Sequence, residues 1–194
     1  MAQRGVVSDQ KKALREGRSI VFIDESGFML QPLVRRTWAP RGKTPVLKSW
    51  DRHDRLSVIS AITLSPKQRR PGLYFHAQRQ NVKSDDVRWF LQQVRKQVGG
   101  RIAVVMDRLS AHRTAAKTLS SRSRTYSFSW LPAYAPELNP VEFIWSNTKY
   151  GKLANFVPRD IGHLEERVHE ALERTQAEMI RSAFRHSGLR PHGR

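Results

Sequence analysis

The chain has 194 residues, 39% of them hydrophobic, which is enough for one folded domain with a core. It contains no Cys, which excludes disulfides and thiolate metal sites, and no apolar run suited to a membrane span or a signal peptide. The net charge of +18, from 35 Lys and Arg against 17 Asp and Glu, favours a phosphate polymer as the partner of this chain. A cytoplasmic location beside that partner is then expected. The alternative is an ordinary basic protein of ribosomal type.

The first half of the chain is predicted to be rich in strands. After a polar lead-in, residues 1–18, an apolar run of Ile, Val and Phe predicts a buried strand over 19–24. A stretch punctuated by Gly and Pro follows and contains a predicted turn at 40–43. The other strands of this half are predicted at 35–39 and 44–47, on either side of that turn, and at 56–64 and 72–77.

The second half alternates helices with strands. Ser84 is predicted to cap a helix whose apolar residues recur every three or four positions, and Gly99 is predicted to end it. Asn139 is predicted to cap another helix, with Pro140 at its first position. In chain order the elements are a helix over 85–98, a strand over 101–106, a helix over 113–121, a strand over 126–131, the helix that begins after Asn139, an amphipathic helix over 160–185, and a basic tail, 187–194.

This order of elements predicts one α/β domain, residues 19–186, with a mixed sheet and helices on both of its faces. The strands that precede Asp24 and Asp107 are expected to lie side by side and parallel. Functional groups then gather at the carboxyl ends of these strands, where open α/β sheets hold their ligands.

Three acids stand at the ends of such rigid elements. Asp24 and Asp107 each follow an apolar run, and Glu142 lies in the first turn of a predicted helix. Hard divalent cations choose oxygen ligands, so these three acids are predicted to form a catalytic metal site. Because side chains alternate along a strand, Glu25 should face away from Asp24 and stay outside this site.

Each acid also has a simpler reading. Asp24 and Asp107 could be turn formers or helix caps at the ends of strands. Glu142 lies three residues after Asn139 and could complete a capping box with it. Glu137, in the Pro-rich loop, is a rival for the third acidic position.

The basic residues indicate where a nucleic acid would lie. His112 could contact a phosphate or orient a neighbouring group, and a surface or capping His is the alternative. Gly42-Lys43-Thr44 imitates the end of a phosphate-binding loop, but Thr37 replaces the required upstream glycine, which argues against nucleotide hydrolysis. The predicted DNA contacts are Arg35, Arg36, Arg41, Lys43, Arg108 and His112. The first four belong to a longer basic track, which also contains Lys48, Arg52 and Arg55 and is interrupted by Trp38 and Trp50. The alternative is that this segment is a solvated hairpin whose tryptophans belong to the core.

Four segments together resemble the DDE transposases of bacterial insertion sequences, in the branch related to the mariner elements. The resemblance extends from about residue 19 to about residue 156. In this branch 34 residues typically separate the second acid from the third, as they do here. The segments are Asp24-Glu25-Ser26 after an apolar strand, Trp38-Ala39-Pro40-Arg41-Gly42, Asp107 with His112 five residues on, and the long run LPAYAPELNPVE from Leu131 to Glu142.

The resemblance implies an RNase H-like fold with a five-stranded mixed sheet, and two Mg²⁺ or Mn²⁺ ions held by Asp24, Asp107 and Glu142. It implies cut-and-paste transposition of DNA elements into TA targets, by a homodimer assembled on the element ends at the bacterial nucleoid. Asn often follows the second acid in the family, whereas Arg108 stands here. Relatives usually carry N-terminal helix-turn-helix domains, so a separately encoded partner with such domains is a further expectation. A ribonuclease H or junction resolvase, and an inactive DNA-binding remnant, are the alternatives.

Overall fold

The computed structural model describes residues 8, 12–13, 15–49, 54–65, 71–122 and 124–188. Most of the predicted lead-in and basic tail lies outside these residues, as do Trp50 and Arg52 of the basic track. A sheet with the strand order β3-β2-β1-β4-β5 forms the centre of the described part of the chain. Its strands are β1 (Ser19–Met29), β2 (Arg55–Leu64), β3 (Pro71–Gln78), β4 (Ile102–Met106) and β5 (Tyr126–Trp130).

The sheet is mixed, as predicted. β1 pairs antiparallel with β2 and parallel with β4, while β2 and β3 are antiparallel and β4 and β5 are parallel. The predicted parallel arrangement of the strands that precede Asp24 and Asp107 is therefore confirmed. β1 is longer than predicted and continues past Asp24, because it stays paired with β2 as far as Met29, which lies opposite Arg55.

Helices cover both faces of the sheet. Alternate residues of β1 enter opposite cores: Val21 and Ile23 pack on one face, and Ile20 and Phe22 on the other. Among the helices that the structure describes, none is long and apolar enough to cross a membrane. The first face carries α1 (Ser84–Val98) and α2 (Ser110–Arg122). The second face carries α3 (Pro140–Asn147), α4 (Ile161–Glu173) and α5 (Ala177–His186). A π-helical turn (Thr148–Lys152) continues α3.

The start of α1 differs from the prediction. Lys83 occupies the cap position, and its backbone N–H donates to Asp86 Oδ2 at 2.7 Å. Ser84 is therefore the first helical residue rather than the cap. The predicted end is confirmed, because Gly99 has a φ of 76°, in the left-handed region that favours glycine.

The hairpin predicted between the first two strands is wrong. Residues 31–49, called the arm below, form neither helix nor strand. Its turn is present, since Lys43 N donates to Pro40 O at 3.0 Å and Gly42 has a φ of 77°. Three prolines in the arm lack the N–H that strand pairing needs. Trp38 is fully exposed, which also excludes it from the core.

The single helix predicted over 160–185 is wrong as well, because α4 and α5 are separate helices. Thr175 Oγ1 donates to Ala171 O at 3.2 Å, and Lys152 Nζ, on the π-helical turn, donates to the same carbonyl. Side chains thus satisfy a carbonyl that a continuing helix would bond through its backbone. Propensity and periodicity could not reveal this, since Lys152 lies outside the predicted helix.

Candidate active site

Two of the three predicted acids are positioned by adjacent parallel strands: Asp24 lies on β1, and Asp107 directly follows β4. Ser19 lies opposite Ile102 and Phe22 opposite Val105. The same register, continued by two residues, brings Asp24 level with Asp107. Both carboxylates therefore stand at the same edge of the sheet, as the sequence predicted.

The third acid is positioned by the start of α3. Asn139 caps this helix, as predicted, and its Nδ2 also donates to Ile23 O on β1 at 3.2 Å. One side chain thus fixes the first turn of α3 against the central strand. The N–H of Asn139 donates to Pro136 O at 2.9 Å, so the donor that a capping box would offer to Glu142 is already used. The geometry disfavours the capping-box alternative.

Asp24, Asp107 and Glu142 line one cavity of about 510 Å³. Much of its wall is the loop between β5 and α3. Glu137, the rival third acid, lies exposed on a 3₁₀ turn in this loop and does not line the cavity. Of the six predicted DNA contacts, Arg108 alone lines it.

Asp24 lies in a strongly negative environment. Burial raises the pKa of Asp24 well above its usual range, and the charges of Glu142, Glu25 and Asp107 raise it further. Trp145 acts in the opposite direction, because its Nε1 donates to Asp24 Oδ2 at 3.0 Å. A positive ion in the cavity would relieve this repulsion.

His112 is fully buried and bridges two acids. Its Nδ1 lies 2.5 Å from Asp107 Oδ1, and its Nε2 lies 2.7 Å from Glu25 Oε1. Burial lowers the pKa of His112, but the hydrogen bonds to Asp107 and Glu25 outweigh it and raise the pKa to about 10. At neutral pH the ring is therefore protonated and donates from both nitrogens.

This contact corrects the prediction that His112 binds DNA. Both ring nitrogens are bonded to carboxylates and the side chain has no exposed surface, which leaves nothing to meet a phosphate. The other interpretation, that His112 orients a neighbouring group, matches the geometry. Burial raises the pKa of Asp107, but the bonds from His112 and from Leu109 N, the latter at 3.0 Å, bring the pKa below its usual value.

Lys149, on the π-helical turn, faces the same acids. Burial lowers the pKa of Lys149 below its usual value, although the charges of Glu142 and Asp24 oppose this change. Its Nζ lies 5.2 Å from the centre of the Phe28 ring. No motif in the sequence indicated a role for Lys149. The available signal was its position two helical turns after Glu142, on the same side of the helix.

The basic residues of the arm line a different surface. Arg35 donates from Nη1 to Tyr150 O at 2.7 Å, which ties the arm to the π-helical turn. Arg35 and Arg36 line a groove of about 540 Å³ together with Tyr150. Arg41 and Lys43 are exposed around the turn of the arm.

The acids form an open arrangement. Within the described ranges, no group of three acidic or His side chains is arranged to hold a metal ion by itself. Asp24, Asp107 and Glu142 therefore do not form a closed metal site without a further ligand. The three acids surround a shared cavity, where a ligand would have to supply further oxygens.

A five-stranded mixed sheet with three acids around one cavity at its edge is an RNase H-like architecture, the class that the resemblance implied. The chain belongs to the DDE superfamily endonucleases, since the model of that family matches residues 19–164. No curated protein matches the chain in sequence.

Solved structures of the Mos1 transposase share this fold. The Mos1 strand transfer complex has a TM-score of 0.64 at 17% identity and covers 98% of this chain. The catalytic domain of Mos1 mariner transposase has a TM-score of 0.58 at 14% identity, covering 98% of this chain and 85% of that one. The mariner paired-end complex with Mn has a TM-score of 0.62 at 16% identity, covering 95% and 56%. This chain spans 56% of the chain in the strand transfer complex.

Proposed function

We propose that this chain is the catalytic domain of a DNA transposase, which cuts DNA strands and joins the cut end to a target. The observation that carries the proposal is the single cavity lined by Asp24, Asp107 and Glu142 in a DDE superfamily endonuclease. The similar Mos1 structures include a complex with the left transposon end and a strand transfer complex, which supports DNA as the substrate.

The acids fit divalent cations. Asp24 lies among the charges of Glu142, Glu25 and Asp107, and a cation there would neutralise them. Mg²⁺ is usually held by one or two carboxylates with waters and substrate phosphates, so an open arrangement of acids suits it. We assign Asp24 to two ions, Asp107 to one of them and Glu142 to the other. Bound Mg²⁺ or Mn²⁺ would activate the attacking oxygen and stabilise the leaving one. Mos1 structures with Mn and with Mg support these metals.

The surrounding residues prepare the acids for this role. His112 holds one oxygen of Asp107 and favours its ionised form, which leaves the other oxygen for a ligand. Trp145 restrains Asp24 through Oδ2. Asn139 fixes the first turn of α3, and therefore Glu142, against β1. Each acid is thus carried by a rigid element, which two-step phosphoryl transfer requires for its alignment.

In the proposed reaction, water attacks a phosphorus atom at the end of the transposable DNA element. The 3′-oxygen bonded to that phosphorus leaves as a hydroxyl. That 3′-hydroxyl then attacks a phosphorus atom of the target strand and forms a new phosphodiester bond, while the target strand's own 3′-oxygen leaves that phosphorus as a hydroxyl. No side chain forms a covalent bond to DNA. The exposed basic residues of the arm, Arg41 and Lys43 among them, hold DNA phosphates on either side of the phosphate that reacts.

The whole reaction requires more than one chain. Because two ends of an element must be joined, we propose a homodimer assembled on DNA. Helix-turn-helix domains of a separately encoded partner would read the element ends, and TA sequences would be the targets. The assembly would act in the cytoplasm, on the nucleoid, where its substrate lies.

Replacement of one cavity acid tests the catalytic assignment. Asp107→Asn should reduce Mn²⁺-dependent nicking of supercoiled plasmid by at least about 100-fold, because the ion loses a charged ligand. Its DNA affinity should be unchanged or higher. Glu137→Gln, which removes an exposed acid from the loop between β5 and α3 that does not line the cavity, is the matched control and should cut like the parent. Equal nicking by Asp107→Asn and the parent would refute the assignment.

Two further measurements separate the alternatives. An RNA–DNA hybrid, a four-way junction and a linear duplex, offered side by side, distinguish a ribonuclease H or a resolvase from a transposase. Titration calorimetry with Mn²⁺ in the presence of duplex DNA, whose phosphates supply the further oxygens, should show heat of binding for the parent and a weaker isotherm for Asp107→Asn. An absence of metal binding in the parent would instead indicate an inactive DNA-binding remnant.

A further inference from the structure

Tyr134 stands at the entrance to the acid cavity with its side chain wholly outside the protein. Its exposed fraction is 102%, so the ring packs against nothing in the described part of the chain. The residue nevertheless lines the same cavity as Asp24, Asp107 and Glu142. A large aromatic ring presented to solvent beside a catalytic cavity needs an explanation that folding does not provide.

The backbone at Tyr134 is held in an unfavourable conformation. Its φ is 57°, in the left-handed region that bulky residues seldom occupy. Within the described residues the other non-Gly residue with positive φ is Asn155, a type that tolerates this region well. Strained backbone of this kind concentrates at functional sites, where the surrounding structure enforces it.

The loop around Tyr134 is anchored firmly on both sides. Leu131 is buried and its N–H donates to Met106 O at 2.9 Å, at the end of β4. Leu138 is buried as well, and its N–H donates to Ala135 O at 3.1 Å. Two anchored leucines therefore fix the loop backbone on either side of Tyr134, so the residue stays at the cavity although no neighbour packs against its ring.

Resting on the function proposed above, we propose that Tyr134 stacks on an unpaired nucleobase next to the scissile phosphate. An exposed aromatic face is the surface that stacks on any base, independent of its sequence. Arg108 lines the same cavity and offers a cation to the adjoining phosphate. A base at a cut end, or one turned out of the duplex, presents the free face that such a ring requires.

Variants of Tyr134 distinguish base stacking from two other roles, a hydrogen bond from the hydroxyl to a phosphate and docking of a second copy of the chain. Stacking uses the ring and not the hydroxyl, so Tyr134→Phe should retain it. A hydrogen bond from the hydroxyl to a phosphate would be lost in the same variant. Docking of a second copy of the chain on Tyr134 would make the effect of its removal depend on protein concentration rather than on the base.

Binding to two matched DNA probes, which differ only in the unpaired base, tests the proposal. The probes are linear duplexes with a single-nucleotide 3′ overhang, which carries either 2-aminopurine or an abasic residue, in buffer with Ca²⁺. The parent should bind the 2-aminopurine probe about tenfold more tightly than the abasic one and quench its fluorescence. Tyr134→Phe should keep both effects, whereas Tyr134→Ala and Tyr134→Asn should bind the two probes equally.

The Asn variant also controls for folding. Asn accepts positive φ, so Tyr134→Asn should melt no lower than the parent, and its failure to discriminate between probes would then reflect the lost ring. Retained discrimination in Tyr134→Ala, or its loss in Tyr134→Phe, would overturn the proposal. Asp107→Asn should discriminate as the parent does. A parent that discriminates without cutting would refute the transposase activity alone, and a parent that cuts without discriminating would refute the stacking alone.

Discussion

At the residue scale, His112 decides the charge and orientation of Asp107. Its ring is buried between Asp107 and Glu25, and both contacts are within hydrogen-bonding distance. Loss of the ring would leave Glu25, whose side chain is 18% exposed, without this partner, and that is costly because little water can replace it. The same ring therefore contributes to stability as well as to the arrangement of the cavity.

The pH dependence of stability follows from the raised pKa of His112. The folded-state pKa is about 10, above the usual 6.5, so protonation of His112 stabilises the fold. This contribution is fully present below pH 6.5 and is lost as pH rises through about 10. His112→Gln should cost about 3 kcal/mol in the free energy of unfolding at pH 6, and less at pH 9.5. Urea unfolding of both proteins at pH 6, 8 and 9.5 measures the difference.

An exposed histidine provides the control. His169 lies on the surface of α4, and His169→Gln should change the free energy of unfolding by less than about 0.5 kcal/mol at each pH. A cost of His112→Gln that stays constant from pH 6 to 9.5 would contradict the assigned protonation of the buried ring.

Much of the site could be predicted from residue patterns. The position of Asp24 and Asp107 after apolar runs, and of Glu142 in the first turn of a helix, predicts that the three acids gather, and alternation along β1 predicts that Glu25 faces away from Asp24. The contact between Glu25 and His112 could not be predicted, because it depends on where α2 packs against the opposite face of the sheet. The capping-box reading of Glu142 failed for a similar reason, since it depends on the 3₁₀ turn before Asn139.

At the element scale, the boundary between α4 and α5 depends on a lysine from elsewhere in the chain. Lys152 Nζ donates to Ala171 O, near the end of α4, and to Thr175 Oγ1 at 3.2 Å. A cation at the carboxyl end of a helix complements both its free carbonyls and its dipole. The amphipathic periodicity over 160–185 predicted helical structure, whereas this boundary depends on a tertiary contact.

Removal of this contact should weaken the packing of the last two helices. Lys152→Met keeps most of the apolar stem but removes the donor, and should lower the free energy of unfolding by about 1–2 kcal/mol. Lys117→Met, at an exposed position of α2, is the matched control and should be nearly neutral. Chemical denaturation measures both. An equal effect of the two substitutions would show that Lys152 does not hold the end of α4.

The arm shows where element prediction reaches its limit. Two short strands are predicted on either side of its turn, but of these features only the turn is present. Strands also need a partner edge, and the arm is held instead through Arg35 to Tyr150 and through Asn155, whose Oδ1 accepts from Arg35 N at 2.7 Å. The local sequence therefore predicts the turn, but it does not predict which part of the chain the arm contacts.

At the scale of the whole molecule, charge is distributed unevenly. The chain carries +18 in total, while basic residues of α4 and α5 form ion pairs with neighbouring acids. Arg181 and Arg185, for example, both pair with Glu178 on α5. The basic residues of the arm are exposed, and Arg41 and Lys43 lie near its fully exposed Trp38. The arm is therefore the stronger candidate for phosphate contact, although both regions contribute to the net charge.

Salt dependence of DNA binding distinguishes contact from net charge. Each phosphate contact on a duplex adds about 0.9 to the slope of log affinity against log salt. Arg41→Ala with Lys43→Ala should therefore reduce the slope by about 1.8 if both residues touch phosphates. Arg181→Ala with Arg185→Ala removes the same two charges from α5 and should leave the slope almost unchanged. Fluorescence anisotropy with a 30-base-pair duplex between about 50 and 200 mM salt gives both slopes. If the two double variants lose the same slope, net charge rather than the arm governs binding.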